Sequence, residues 1–313
     1  MTRFELQVAA EDAKKRLDEF LFAKIPKVSK IYLREVIKEG KCEVNGEWQN
    51  RGYILRKNDF VEAELELGER KIVEPEPIAL DIIFEDRELL VVNKPAGMLV
   101  HPTVKVRGGT LLNALAYYLN YEEEKRRGGE EEKIHSREVS SSPHLPFSSS
   151  NFIRAGLVHR LDKDTSGLLV IAKNPRSHRI LCDHFKRKLV EKRYFALVGG
   201  VFEDDEGTID TPVGRYAEER FWNIKADGKA AETRFWVKER FSDSTLLELE
   251  PVTGRTNQLR IHLASIGHAI IGDKKYGGRE FRRLCLHAYR LSFWHPNGNQ
   301  WMEFENIIGN FES

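Results

Sequence analysis

The stretch HRLDKDTSGLLVIAK, at residues 159–173, sets a cluster of histidine, arginine, lysine and aspartate directly before the apolar run GLLVIA. A short continuous apolar run bounded by turn residues predicts a buried strand. Asp164 and Ser166 belong to residue types that such a turn uses, so they have a structural explanation. Asp162 has a weaker one. It is either a salt-bridged structural carboxylate, the default for an aspartate beside cations, or an active-site carboxylate at the end of a core strand.

The length and amino-acid composition limit the classes of protein to which the chain can belong. The chain has 313 residues, of which 41% are hydrophobic and 32% charged, which is typical of a soluble globular protein with room for two domains. No apolar run is long enough to cross a bilayer, and the N-terminal residues lack the apolar region of a signal peptide. The three cysteines stand far apart, which predicts neither a disulfide framework nor a metal site. We expect a cytoplasmic protein that binds no metal and no membrane.

Residues 12–67 have the pattern of a small module. Asp12 is a candidate cap for a first helix, and Ser29 for a second, KIYLREVIKE, which ends at Gly40. The stretch CEVNGEW predicts a hairpin with an Asn-Gly turn, and FVEAELEL alternates as a half-buried strand does.

One face of the second predicted helix is basic. Most isolated stripes of this kind are solvated surface, and the alternative is a surface that binds phosphates. The net charge of +1 favours neither alternative, because phosphate binding depends on a local patch. The cations recur at spacings of three and four residues: Lys27, Lys30, Arg34, Lys38 and Lys41.

From Leu80 onward, many apolar runs with few helices between them predict an α+β domain on a largely antiparallel, mixed sheet with flanking helices. Two further polar clusters lie in this part. TGRTNQLRIH, at 253–262, opens a predicted helix that ends at Gly267, with Leu259, Leu263 and Ile266 on its core face. Its arginines are either surface residues or an anion site or partner for Asp162. FKRKLVEKRY, at 185–194, sets basic residues beside Tyr194, as surfaces that follow a phosphate backbone do.

The ordered set of motifs resembles the ribosomal large-subunit pseudouridine synthases of the RluA/RluD type. The resemblance rests on these segments: VNKPAGMLVHP (92–102), GLVHRLDKDTSGLLVIAK (156–173), KRYFALVGG (192–200), PVGR (212–215), TGRTNQLRIHLASIGHAIIGDKKYG (253–277) and LCLHAYRLSFWHP (284–296). The N-terminal module is similar to the RNA-binding domain named after small-subunit ribosomal protein four. The resemblance implies a small α/β RNA-binding domain at 1–70 and a catalytic domain at 81–313. Pro75 and Pro77 predict a linker between them, at 71–80. We expect a charge-rich and serine-rich segment, 121–150, to be a mobile surface insertion.

The resemblance also implies a reaction and residue roles. Uridine in structured ribosomal RNA, most directly that of the large (23S) subunit, becomes pseudouridine without cofactor or metal. Asp162 matches the catalytic aspartate, Tyr194 the tyrosine that stacks on the target base, and Arg260 the arginine that pairs with the aspartate. Arg160 is similar to the arginine that displaces the target base, and Leu286 to a hydrophobic wall of the pocket. Arg255 and the basic face with Lys27, Lys30, Arg34 and Lys38 are expected to bind RNA.

The sequence departs from the family pattern at Asn257, where a histidine is usual, and at Arg154-Ala155, where Arg-Pro is usual. Two other functions stay open on the residues alone. One is a catalytically silent RNA-binding or ribosome-assembly factor. The other is a glycoside hydrolase that uses Asp162 and Asp164 as a carboxylate pair.

Overall fold

The buried apolar cluster formed by residues between 8 and 65 shares no member with the clusters formed by residues 89–311. The computed structural model describes residues 2–25, 30–65, 73–103, 106–127, 155–216, 221–298, 300–308 and 311, without the side chains of 30, 31 and 121–127. Residue contacts separate a first unit, Met1–Ile72, from a second, Val73–Ser313. Residues 73–80 of the predicted linker therefore fall in the second unit.

The first unit contains one antiparallel sheet and two helices. The sheet has the strand order β1-β4-β2-β3. Its elements are β1 (Thr2–Gln7), α1 (Leu17–Lys24), α2 (Lys30–Lys38), β2 (Cys42–Val44), β3 (Glu47–Trp48) and β4 (Phe60–Leu65).

Local sequence signals account for most of this unit. The Asn45-Gly46 turn has positive φ at both residues, as a two-residue type I′ hairpin turn requires. Alternate residues of β4 are buried, so the predicted alternation is confirmed, and the apolar face of α2 packs in the same core: Val61, Ala63, Leu65, Leu33, Val36 and Ile37.

The predicted helix cap at Asp12 is wrong. Asp12 ends a short 3-10 helix, Ala10–Asp12, while α1 begins at Leu17 after Arg16. The chain turns away between them, because Lys14 has a φ of 68°. The buried Asp12 carboxylate instead binds Lys15 and Lys24, each at 2.7 Å.

The second unit is built on a mixed sheet of ten strands. In chain order its strands before α5 are β5 (Asp81–Glu85), β6 (Leu89–Lys94), β7 (Gly156–Leu157), β8 (Ser166–Ala172), β9 (Val190–Gly199), β10 (Glu206–Asp210), β11 (Val213–Tyr216), β12 (Phe221–Ile224), β13 (Glu232–Arg240) and β14 (Ser244–Pro251). After α5 come β15 (Leu286–Trp294) and β16 (Trp301–Glu305). The helices are α3 (Leu111–Arg127), α4 (Pro175–Lys186) and α5 (Gln258–Ser265).

The sheet follows the order β10-β13-β14-β9-β15-β8-β6-β5, with β16 beside β15 and β7 beside β8. Strands β11 and β12 form a separate two-stranded hairpin. Among the described strand pairs of the large sheet, β15 with β8 is the parallel one, and the others are antiparallel. The predicted α+β class with a largely antiparallel mixed sheet is confirmed.

The apolar run GLLVIA, at residues 167–172, lies in the buried strand β8. Leu169 and Ile171 belong to one hydrophobic cluster, and Leu168 and Val170 belong to another that includes Leu181 of α4. Because both faces of the strand are covered, the run is continuously apolar instead of alternating.

Three further observations concern the end of the last helix, the predicted insertion and membrane-spanning helices. Ile266, predicted on the core face of the last helix, follows α5 and is 41% exposed, because the helix ends at Ser265. Helix α3 continues to Arg127, so the first residues of the predicted insertion are helical, and 128–150 lie outside the described residues. No helix in the described part of the chain combines the length and apolarity needed to cross a bilayer.

Candidate active site

A cleft of about 780 Å³ in the second unit collects side chains from four separate parts of the chain. They come from the loop before β8, from the end of α4 through β9, from the end of β14 through the start of α5, and from the start of β15. Six of the site residues predicted from the sequence line the cleft: Arg160, Asp162, Tyr194, Arg255, Arg260 and Leu286. The exposed Asp164 is not among the lining residues, which speaks against a carboxylate pair with Asp162.

Strand pairing places three of these parts side by side. Ala288 of β15 is opposite Gly167 of β8 on one side and Tyr194 of β9 on the other. Gly167 has a φ of 122°, and a Cβ there would lie 2.3 Å from the carbonyl oxygen of Ala288. Glycine therefore permits the close approach that brings the loop of Asp162 to the start of β15.

Asp162 lies in a partly buried part of this loop, where its carbonyl oxygen accepts a hydrogen bond from the Thr165 N–H at 3.3 Å. Within the described residues, its carboxylate has no hydrogen bond and no ion pair. Burial raises the pKa of Asp162, and the cations Arg260, Arg160, Lys275 and Lys94 reduce that rise without cancelling it.

The guanidinium of Arg260 is directed toward Asp273 and not toward Asp162. Its Nε and Nη2 each donate to the carboxylate of Asp273 at 2.7 Å, and its guanidinium lies 5.1 Å from the centre of the Tyr276 ring. The direct ion pair with Asp162 that the resemblance implies is therefore not formed within the described residues. Arg260 acts on Asp162 through space, and it is the cation that most favours the ionised carboxylate.

Tyr194 is 9% exposed and packs in the main core, so its ring forms part of the cleft wall. Burial raises the pKa of its hydroxyl, and the neighbouring charge of Asp162 raises it further. Tyr194 therefore stays protonated through neutral and mildly alkaline pH. Leu286 is also buried, as a hydrophobic wall requires. Arg160 and Arg255 are exposed, and Arg255 Nε donates to the carbonyl of Ala230 at 3.0 Å.

Strand alternation divides the basic cluster before Tyr194. Lys192 is on the same side of β9 as Tyr194 and lines the cleft, whereas Arg193 points to the other face. There Arg193 lies over the Trp236 ring and pairs with Glu250 at 3.2 Å. Lys186 and Lys188 also line the cleft. Burial lowers the pKa of Lys192, and the nearby Glu250 opposes that shift.

Other residues of the motifs have structural roles in or beside the cleft. The Val170 N–H donates to Nε2 of His159 at 3.1 Å, and the imidazole stacks on Phe185. Burial lowers the pKa of His159 to about 3, so it is neutral and structural. Gln258 and His262 are buried and bonded to backbone carbonyls, which explains two members of the second polar cluster.

Two charged residues that matter here were not singled out from the sequence. Lys94 is fully buried at the end of β6, and Asp273 is buried beside Arg260. The signal for Lys94 was a lysine two residues after the apolar run LLVV, and for Asp273 an aspartate between a glycine and two lysines. The described residues contain no group of three or more His, Cys, Asp or Glu placed to hold a metal ion.

The predicted RNA-binding face of the first unit is only partly described. Lys27 lies outside the described residues, and the side chain of Lys30 is not described. Lys38 is exposed. Arg34 Nε donates to the buried carboxylate of Asp18 at 2.7 Å, so this guanidinium is held by its own unit and is 39% exposed.

Two curated relatives are similar in sequence to this chain over most of its length. An uncharacterized RNA pseudouridine synthase of Aquifex aeolicus is 38% identical over 96% of this chain and 92% of its own. The ribosomal large subunit pseudouridine synthase D of Pseudomonas aeruginosa is 35% identical over 96% of this chain and 91% of its own.

A solved structure agrees with the fold. Human RNA Pseudouridylate Synthase Domain Containing 1 matches with a TM-score of 0.55 and 26% identity, over 78% of this chain and 86% of that one. The family model described as RNA pseudouridylate synthase matches residues 88–265, which contain Asp162, Tyr194 and Arg260. The cleft, the fold and these matches together show that the chain belongs to the RNA pseudouridylate synthase family, whose members are RNA isomerases.

Proposed function

We propose that this chain converts uridine to pseudouridine in large-subunit (23S) ribosomal RNA, with Asp162 as the catalytic carboxylate and without a cofactor. The observation that carries the proposal is the single cleft in which Asp162, Tyr194 and Arg260 meet from distant parts of the chain. The choice of RNA is supported by the relatives named for the large ribosomal subunit. We also propose that the protein acts in the cytoplasm, where bacterial relatives such as that of Pseudomonas aeruginosa have their ribosomal RNA.

The chemistry fits the groups present. The C1′–N1 bond breaks, the uracil turns, and a C1′–C5 bond forms, after which C5 loses a proton and N1 gains one. Product and substrate are isomers, so no oxidant, reductant or nucleotide enters the balance. Asp162 either attacks C1′ or stabilises the sugar cation, and both roles require an ionised carboxylate. Its raised pKa therefore predicts that activity falls on the acid side of neutrality.

A uridine inside a helix must first leave the stack, at a cost of roughly a few kcal/mol. In this proposal the exposed Arg160 takes the vacated place in the RNA, and the Tyr194 ring stacks on the extruded base. Burial keeps Tyr194 protonated, so it serves as a stacking surface and as a donor.

The first unit supplies affinity in this proposal. Its basic residues Lys27, Lys30, Arg34 and Lys38, which the sequence predicts to share one face, dock on the backbone of structured RNA in the manner of the small domain that it resembles. Contacts to phosphates give binding that weakens as salt is added. The second unit then selects and converts the uridine.

The test is release of tritium from RNA labelled at uridine C5. Unmodified 23S transcripts, 16S transcripts and transfer RNA are incubated with the protein, and we expect release from 23S RNA alone. Asp162→Asn should abolish release, whereas the matched control Asp164→Asn, at an exposed position outside the cleft, should keep it. Release by Asp162→Asn at the wild-type rate would refute the assigned residue. Release from transfer RNA only would refute the assigned substrate.

A further inference from the structure

A buried hydrogen-bond network lies where β8 runs beside β15. Ser166, the first residue of β8, is opposite His287 in the parallel pairing of the two strands. The Ser166 Oγ lies 2.8 Å from Nδ1 of His287, and Nη2 of Arg283 donates to the same oxygen. On the far side of the ring, Nε2 of His287 lies 2.7 Å from the carbonyl oxygen of Asn306. Ser166 is 5% exposed and His287 is 1% exposed, so the network is shielded from water.

The two ends of this network fix the direction of every hydrogen bond in it. A backbone carbonyl only accepts, so the proton of the His287 ring is on Nε2 and is donated to Asn306. A guanidinium only donates, so Arg283 occupies one lone pair of the Ser166 oxygen. With its proton on Nε2, the neutral ring has an acceptor at Nδ1, and the Ser166 hydroxyl donates to it. The hydrogen bonds therefore run in one direction, from the guanidinium to the carbonyl.

The imidazole of His287 is neutral in this setting. Burial lowers its pKa, and the charge of Arg283 lowers it as well, although the hydrogen bond to Asn306 opposes both. A second proton on the ring would be on Nδ1 and would remove the acceptor of the Ser166 hydroxyl. The Ser166 oxygen is therefore held between a cation and a neutral ring of fixed tautomer.

Ser166 is directly connected to the loop that carries Asp162. Thr165, which precedes Ser166, donates its N–H to the carbonyl of Asp162 at 3.3 Å. Gly167, which follows Ser166, lies so close to Ala288 that a Cβ on the glycine would be 2.3 Å from the alanine carbonyl oxygen. The loop of Asp162 therefore enters β8 through a residue whose backbone and side chain have little freedom to move.

Ser166 and His287 do not reach the substrate from this place. Thr165 and Leu286 line the cleft, and each directly precedes one of the two in the chain, but neither Ser166 nor His287 is among the described residues of the lining. Successive residues of a strand point to opposite faces, so the His287 ring is on the other face of the sheet from Leu286. Any effect of the network on the reaction must therefore act through the position of the loop.

We propose that Ser166 and His287 are positioning residues, which hold the start of β8 so that the loop presents Asp162 in the orientation that the reaction needs. The carbonyl of Asn306 contributes by fixing the tautomer of the ring. This inference rests on the proposed role of Asp162, which the tritium assay of the wild type and Asp162→Asn tests separately.

The first test compares two buried serines. Ser166→Ala removes the hydroxyl between the ring and the guanidinium, and we expect kcat to fall about tenfold with KM little changed, because no cleft-lining side chain is altered. Ser177→Ala is the matched control, since that hydroxyl is also buried and donates to the carboxylate of Glu88. We expect both variants to lose stability and Ser177→Ala to keep the wild-type kcat. An unchanged kcat for folded Ser166→Ala would refute the proposal.

Two substitutions of His287 distinguish the two nitrogens of the ring. The amide of His287→Asn takes the place of Nδ1 and offers the Ser166 hydroxyl an acceptor. The amide of His287→Gln takes the place of Nε2, so it bonds Asn306 and leaves that hydroxyl without one. We expect kcat of His287→Asn to exceed kcat of His287→Gln about threefold. Equal kcat values for the two folded variants would show that the contact with Ser166 has only a structural role.

A third measurement uses the unaltered protein, so it does not depend on the folding of a variant. ¹⁵N NMR at pH 7 identifies the ring nitrogen of His287 that carries the proton. We expect a protonated Nε2 and an unprotonated Nδ1 that accepts a hydrogen bond. A proton on Nδ1 would overturn the inference, because the Ser166 hydroxyl would then have no acceptor on the ring. Failure of the wild type to release tritium would instead refute the proposed function.

Discussion

Lys94 Nζ donates a hydrogen bond of 2.9 Å to the carbonyl of Lys163, the residue directly after Asp162. The same ammonium donates to the carbonyls of Pro95 at 2.7 Å and Met98 at 2.9 Å. The side chain is fully buried, so three backbone carbonyls take the place of water around its charge. One lysine at the end of β6 therefore ties the loop of the candidate catalytic carboxylate to the sheet.

Replacing Lys94 by methionine should loosen that loop. Three buried carbonyls lose their donor, and we expect the free energy of unfolding to fall by roughly 2–4 kcal/mol and tritium release to drop with it. Urea unfolding at neutral pH measures the loss. Lys163→Met is the matched control, since it removes an exposed side chain and leaves the bonded carbonyl in place. Equal stability of the two variants would contradict the anchoring role.

The anchoring lysine also predicts a dependence on pH. Burial lowers the pKa of Lys94 from 10.5 to about 8, so the unfolded chain holds more protons than the folded one between those values. The contribution of Lys94 to the free energy of unfolding therefore increases as the pH rises through that interval. The difference between wild type and Lys94→Met should grow from pH 8 to 10.5, and a constant difference would contradict the lowered pKa.

Asp162→Asn should make the protein more stable at neutral pH while removing its activity. Burial raises the pKa of Asp162, so the folded state is disfavoured wherever the carboxylate must ionise. That penalty is present above the folded pKa and vanishes below the unfolded value of about 3.9. We expect the Tm of the variant to exceed that of the wild type at pH 7 by a few degrees and to match it in acid. Asp164→Asn, at an exposed position, should show no such gain.

Lys192 should contribute to RNA affinity more than to folding. Its ammonium lines the cleft and has no hydrogen bond or ion pair to the described residues, so an RNA phosphate can supply the missing anion. We expect Lys192→Met to raise KM about five- to tenfold and to reduce the slope of log affinity against log salt by about 0.9. Lys238→Met, which removes an exposed lysine on β13, is the control. An unchanged KM for Lys192→Met would exclude the phosphate contact.

Arg34 and Lys38 lie on the same predicted RNA-binding face, yet they should respond differently to substitution. Burial opposes ionisation of Asp18, but hydrogen bonds from Arg34 and Arg16 outweigh it and lower the pKa of this carboxyl. Arg34→Leu should therefore destabilise the first unit by about 1–3 kcal/mol at neutral pH, and less as the pH falls and Asp18 takes up a proton. Thermal unfolding at pH 7 and in acid measures this.

Lys38→Glu should leave stability unchanged and weaken RNA binding, because Lys38 is exposed on α2. Filter binding at several salt concentrations measures the effect, and Lys57→Glu makes the same charge change at an exposed turn of the same unit. Equal affinity of the Lys38 and Lys57 variants would contradict a docking role for the helix face.

The sequence alone determined the elements that depend on neighbouring residues. The Asn45-Gly46 turn, the alternation of β4 and the continuous apolar run of β8 each follow from local conformational preference or from burial along one strand. The motif around Asp162 pointed to the cleft, because turn chemistry accounts for Asp164 and Ser166 and accounts less well for Asp162.

Only the tertiary structure determines which side chains and carbonyls that are distant in sequence form ion pairs and hydrogen bonds. The resemblance implied that Arg260 pairs with Asp162, whereas the folded chain offers Arg260 two carboxylates, and its fork engages Asp273. Lys94 was passed over for the same reason, since a buried lysine is tolerated only where folding brings carbonyls around it. Periodicity and turn chemistry act between near neighbours, while the choice of an ion-pair partner depends on which side chains the sheet and turns bring within hydrogen-bond distance.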